Sequence, residues 1–248
     1  RTGNYKCWLP TITSKVKAKE SFLVEEWKKN QSLTNKYLKI TIPGPMTITD
    51  TIANTFYDSD EHMGEDLADA INVEIKRLVE AGCKYIQVDE PLFARKPENA
   101  LNFGIKNLER CFKDINNQSI EKITHICCGY PDKLDAVDYP KAPLDSYSKI
   151  SKALDESILD TVSIEDAHRY NDLNFLKDFN QTKVIFGLIK IASSQVETKE
   201  EIVSRINDAL KFIDKEQLIV APDCGLGHLP RNLAKIKLKI MVEASNSF

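Results

Sequence analysis

Six short apolar runs recur along the chain, each leaving through a polar, Gly- or Pro-containing exit into a stretch with helical spacing. They are Tyr37 to Ile42, Lys84 to Val88, Lys122 to Cys128, Thr161 to Ile164, Lys183 to Ile189 and Leu218 to Ala221. No hairpin signal joins one run to the next. Strands separated in this way pair in parallel through right-handed crossovers. Helices are read at Ser21 to Ser32, Glu65 to Ala81, about Ala100 to Lys113, Ser146 to Asp155, Asn171 to Asp178, Glu200 to Phe212 and Arg231 to Ala244. The clearest carries Leu67, Ala70, Ile71, Ile75, Leu78 and Val79 in register and stops at Gly82.

An open doubly wound sheet and a (β/α)8 barrel both satisfy this alternation. A dinucleotide-binding sheet needs a Gly-rich turn after its first strand, and none is present. Polar residues of functional type follow the carboxyl ends of at least four strands, which is how barrels assemble sites. The expected fold is therefore an α/β (β/α)8 barrel with six of its eight units in residues 1–248, read as one domain. The two remaining strands are expected ahead of Arg1.

Net charge is −3 with both signs interspersed, so no basic block is present to displace counterions from nucleic acid. No apolar run approaches the roughly 20 residues that span a bilayer. No signal peptide is visible, and a cytoplasmic location is the expectation. Cys7, Cys83, Cys111, Cys127, Cys128 and Cys224 are read as reduced thiols or metal ligands, Cys83 and Cys111 being small buried residues.

The run Lys122 to Tyr130, KITHICCGY, is a buried strand ending in a polar tip. His125 and Cys127 are two apart and project to the same side, whereas Cys128 projects to the other and is expected to pack against a helix. An imidazole beside a thiolate at a strand end is half of a zinc site. Two further strand exits supply donors, Glu165 in TVSIEDAH and Cys224 in PDCGLG. Each residue also has a plainer reading. A buried Cys in a His-x-Cys pair serves as a small apolar residue, Cys224 as a turn residue, and Glu165 or Asp166 as a helix cap. His168 is a surface residue, or a site residue if its loop folds inward. At Asp89-Glu90, alternation sends one acid inward and the other toward the helices. An inward Asp89 can hold an ammonium group or cap a helix. A Ser-His-Asp set, a P-loop, G-x-S-x-G and H-E-x-x-H are absent.

Five stretches together resemble the cobalamin-independent methionine synthase family, in particular its C-terminal catalytic barrel. They are Ile42-Pro-Gly-Pro-Met-Thr-Ile48, Ile86-Gln-Val-Asp-Glu-Pro91, His125-Ile-Cys127, Ser163-Ile-Glu165 and Pro222-Asp-Cys-Gly-Leu226, in the family's order. The tail Cys224 to Arg231 is similar to short stand-alone members and to transferases that alkylate coenzyme M. The resemblance implies zinc held by His125, Cys127, Glu165 and Cys224, with Glu165 the ligand displaced when substrate sulfur arrives. It also implies that Asp89 takes the amino group of homocysteine. The activity implied is a zinc-dependent S-methyltransferase that presents homocysteine as a zinc thiolate and methylates it to methionine. A free thiol, with a pKa of about 8.5, is mostly protonated at neutral pH, and coordination removes that proton.

The chain departs from the family pattern in the folate-handling half. Thr51 stands where folate users carry Trp, and Lys190-Ile191-Ala192 stands for Asp-Ile-His. Arg95 replaces an acid, and Lys6-Cys7 keeps half of an Arg-Cys pair. The methyl donor is accordingly methyl-tetrahydrofolate or a methyl-corrinoid protein. The alternatives are alkyl transfer to another small thiol such as coenzyme M, a decarboxylase-type relative, and a non-catalytic barrel remnant.

Overall fold

The structure, a computed structural model, describes residues 8–115 and 120–248. Its strands are β1 (Thr11–Ile12), β2 (Lys39–Pro43), β3 (Ala53–Asn54), β4 (Tyr85–Asp89), β5 (Glu121–Ile126), β6 (Thr161–Ile164), β7 (Lys183–Ile189) and β8 (Leu218–Pro222). Its helices are α1 (Val24–Gln31), α2 (Pro45–Thr49), α3 (Asp60–Glu80), α4 (Leu92–Arg95), α5 (Pro97–Asn99), α6 (Ile105–Cys111), α7 (Ser146–Asp155), α8 (Lys199–Ala209) and α9 (Arg231–Ser245). The main sheet has six strands in the order β2-β4-β5-β6-β7-β8, every neighbouring pair parallel. These are the six expected strands in chain order. β1 and β3 form a separate parallel pair that the apolar pattern did not signal. Among the described residues β2 and β8 are the sheet's two edges and do not pair with each other.

Alternation along the strands divides the sheet into two faces. Ile86, Val88, Ile126, Val162, Ile164, Val184 and Phe186 turn toward the helices and join one core with Ile71, Ile75, Leu78, Leu108, Ile150, Leu154, Ile202 and Ile206. Burying one such aliphatic side chain contributes about 1.5–3 kcal/mol. Gln87, His125 and Ser163 occupy the opposite face and are also buried. The same period that builds the core thus places polar groups where the barrel interior lies.

Helix α3 begins at Asp60, five residues before the expected start at Glu65. The Ser59 hydroxyl accepts from the His62 N–H, and Asp60 and Glu61 sit in the first turn, near its positive end. It ends as Gly82 requires, with φ of 99° and Cys83 N–H donating to the Leu78 carbonyl. The stretch read as a helix from Asn171 is a 3-10 helix over Leu173–Asp178, with Asp172 setting its start by accepting from the Asn174 N–H. The Ala100 helix opens with a π turn over Ala100–Gly104 before α6. Cys83 and Cys111 are buried in the core, as expected. No helix among the described residues is long and apolar enough to cross a membrane.

Gly187 in β7 faces the β8 exit at close range. A Cβ there would collide with the Asp223 carboxylate and lie 2.8 Å from the Asp223 Cα and 3.0 Å from the Ile164 carbonyl oxygen. Two of those atoms are backbone and have little room to yield. Gly187→Ala is therefore expected to destabilise the chain by about 1–3 kcal/mol, the usual cost of overpacking. A chemical-denaturation midpoint equal to the wild type's would show that the crevice has room to spare.

Candidate metal centre

Parallel register brings the polar strand ends into line. Asp89 on β4 pairs with His125 on β5, which pairs with Ser163 on β6. Cys127 follows β5, Glu165 follows β6 and Cys224 follows β8. One donor atom each from His125, Cys127 and Cys224 lie within 4.8 Å of one another. His125 Nδ1 pairs with the Ser163 hydroxyl at 2.9 Å, which fixes the ring and directs Nε2 elsewhere. Nε2 is buried and has no hydrogen-bond partner among the described residues. An orphaned imidazole nitrogen beside two sulfurs is the donor set for a borderline-soft metal ion.

The two sulfurs differ in charge. The Cys127 S–H beside it holds the Cys224 thiol well below the usual thiol range against the effect of burial, and His125 lowers it further. The same contact with Cys224 pushes Cys127 well above the usual thiol range, and burial adds to this. Burial lowers the His125 pKa, but Cys224 and Asp89 outweigh it and raise it. Burial likewise raises Asp89, although the Gln87 amide donates to its Oδ1 at 2.7 Å.

Glu165 lies outside the three-donor cluster. It is buried, its Oε1 accepts from Lys141 Nζ at 2.8 Å and its Oε2 from the Cys128 N–H at 2.9 Å. Cys128 turns away from the cluster, as alternation requires, and its sulfur accepts from Arg169. His168 bridges two strand exits, its Nε2 accepting from the Ile191 and Ala192 N–H groups. Burial and the cations Lys141 and Lys190 push its pKa down to about 4, so it is a neutral acceptor. Lys6 and Cys7 lie outside the described residues.

Several supporting residues were not singled out from the sequence, where Asp166 was read only as a helix cap. Asp223 is buried, and its carboxylate accepts from the N–H groups of Asp166, Ala167 and His168 at 2.7–2.9 Å. Asp166 faces Arg205, which binds it through two nitrogens at 2.6 and 2.8 Å. Gln87 and Ser163 each stand two residues before a singled-out acid, Asp89 and Glu165. The period of two was the available signal.

Residues 4–247 match the family described as cobalamin-independent synthase, catalytic domain. The chain belongs to this family. Methionine synthase from Saccharolobus solfataricus is 33% identical over 240 residues, which cover 95% of this chain and 66% of that protein. Methionine synthase from Sulfurisphaera tokodaii is 32% identical over 238 residues, covering 95% and 64%. The chain therefore spans about two thirds of the length of these curated relatives. A B12-independent methionine synthase from Shewanella sp. W3-18-1, solved in complex with selenomethionine, superposes with a TM-score of 0.86. It is 29% identical, and the match covers 96% of this chain and 70% of that one. The fold is the barrel type of these catalytic domains, here with six of the strands in one open sheet.

Glu90 holds the family's Gly-Pro-x-Thr segment in place. Its buried carboxylate accepts from the N–H groups of Met46 and Thr47 and from the Thr47 hydroxyl. Gly44 leaves the room, since a Cβ there would collide with that carboxylate. Burial raises the Glu90 pKa to about 8. The folded chain thus keeps a proton that the unfolded chain releases at the ordinary carboxylate range. This contribution to stability is full below that range and is lost as pH rises through about 8. Denaturation midpoints of Glu90→Gln should fall less between pH 5 and 8 than those of the wild type. Equal slopes would assign the fall to other groups.

Proposed function

We propose that this chain is a single zinc-dependent catalytic domain that transfers a methyl group to the sulfur of homocysteine, forming methionine. The observation that carries the reading is the buried His125 Nε2, without a hydrogen-bond partner among the described residues, beside the sulfurs of Cys127 and Cys224. The names of the curated relatives support it, as does the selenomethionine in the Shewanella relative, a methylated product with selenium for sulfur.

His125, Cys127 and Cys224 would hold the zinc, with Glu165 as fourth ligand. Zinc bound there supplies a Lewis acid that lets an incoming thiol lose its proton at neutral pH. Ser163 keeps the imidazole in the tautomer whose Nε2 faces the sulfurs. Asp89, on the neighbouring strand, takes the ammonium group of the substrate and so fixes the direction of its side chain. Glu165 can leave the cluster without becoming an unpaired buried charge, because Lys141 and the Cys128 N–H already receive it. The substrate sulfur forms the new S–C bond as the donor's bond to the methyl group breaks, its electron pair staying with the donor. Thr51 and Ala192, standing where folate users carry Trp and His, favour a methyl-corrinoid protein over methyl-tetrahydrofolate as that donor.

Elemental analysis of the purified, reduced chain should find about one zinc per chain, lost in Cys127→Ser and in Cys224→Ala. A wild-type chain without zinc removes this reading. Glu165→Gln should retain zinc with affinity weakened by roughly 10–100-fold in chelator competition. Unchanged affinity takes Glu165 out of the ligand set. Asp89→Ala should raise the KM for homocysteine by about tenfold with zinc content intact, because a charged hydrogen bond is lost. Zinc loss in that variant would make Asp89 a ligand or a structural support.

A further inference from the structure

Beneath Asp89 a polar column runs down the inner face of the sheet. On β2 and β4 the paired residues are Lys39 with Tyr85, Thr41 with Gln87 and Pro43 with Asp89. Lys39 therefore starts one inward-facing step below Gln87 and reaches up to it. Its Nζ donates to Gln87 Oε1 at 2.5 Å, and Gln87 Nε2 donates to Asp89 Oδ1 at 2.7 Å. Gln87 is buried, whereas Lys39, on the edge strand, keeps one side in solvent.

An amide has a donor end and an acceptor end, and its neighbours decide which way round it sits. Turned over, the Gln87 amide would set its NH2 against an ammonium and its oxygen against a carboxylate. Both contacts would be repulsive, so the Lys39–Gln87–Asp89 order admits one orientation only. The amide is neutral. It passes the direction of the hydrogen bonds upward while keeping the Lys39 charge from contacting Asp89. The Asp89 carboxylate is held from below through one oxygen, and among the described residues its other oxygen carries no hydrogen bond and is left to a ligand.

We propose that Lys39 is the positioning residue of the ammonium subsite, orienting Gln87 so that Asp89 presents its free carboxylate oxygen to the amino group of the thiol substrate. The inference rests on the homocysteine reading above and assigns its amino-group selectivity to a residue that need not touch the substrate. Without Lys39, the Gln87 carbonyl loses its partner, the amide is free to turn, and the support of Asp89 is lost.

Calorimetric titration of the zinc-loaded chain with three thiols tests this. They are homocysteine, its analogue without the amino group (a mercaptobutyrate) and its analogue without the carboxylate (a mercaptopropylamine). Lys39→Met should weaken homocysteine and the mercaptopropylamine by about tenfold and leave the mercaptobutyrate within about twofold, with zinc content unchanged. Gln87→Met should give the same pattern, and Lys39→Arg should restore most of the loss. A loss shared by homocysteine and the mercaptobutyrate but sparing the mercaptopropylamine overturns the inference, since Lys39 would then bind the carboxylate directly. An equal loss for all three thiols, or none, overturns it as well. A wild-type chain that binds none of the three sinks the homocysteine reading and this inference together, whereas wild-type selectivity that persists in Lys39→Met sinks this inference alone.

Discussion

The contact on which the centre depends is the buried carboxylate of Asp223 against the N–H groups of Asp166, Ala167 and His168. It ties the exit of β8 to the exit of β6 across the intervening strand β7. Cys224 is the next residue, so the clamp carries its sulfur to Cys127. β7 permits this because residue 187 is glycine. A side chain there would occupy the space of the carboxylate. Burial raises the Asp223 pKa to about 7, while three donated hydrogen bonds oppose the shift. The chain thus accepts a costly buried acid to bring together two sulfurs from strands that are not neighbours.

The same division of labour recurs at three other strand ends. β4 ends in Asp89-Glu90, with Asp89 beside the cluster and Glu90 fastening the start of α2. β6 leads into Glu165-Asp166, with Glu165 near the cluster and Asp166 bound by Arg205. β5 leads into Cys127-Cys128, of which only Cys127 joins the cluster. In each pair, adjacent residues point to opposite sides, so one serves the site and its neighbour pins a loop. A site on loops gains rigidity in this way without extra chain.

The pattern that made the fold legible is the one that made half of the site legible. Apolar runs with period two and no hairpin links were enough to name six parallel strands, because both requirements are local. The sequence reading placed His125 and Cys127 together for the same reason. Cys224 was legible as a donor at a strand exit but not as a neighbour of Cys127, since that distance depends on the Asp223 clamp, a contact between residues 57 apart in sequence. Short elements such as α2, α4 and the β1–β3 pair carry too few residues for any periodicity. The start of α3 was missed because a polar cap, Ser59, sets it before the first apolar residue. His168 stayed ambiguous until its loop was seen to fold over the β7 exit, where backbone N–H groups meet its ring.

The position of Glu165 bears on how a thiol site can stay both stable and open. A Cys224 sulfur held below the usual thiol range already favours negative charge, and a further anion pressed against it would add to that charge. Lys141 instead pairs with Glu165 at 2.8 Å, where both groups are largely shielded from water. Lys141 comes from the long segment after β5, so the cation that balances Glu165 is supplied by a different element from the one that carries it. On the zinc reading, this makes the fourth ligand the one whose charge is met whether it is bound or released. A site built this way can exchange one oxygen for a substrate sulfur while the other three ligands stay in place.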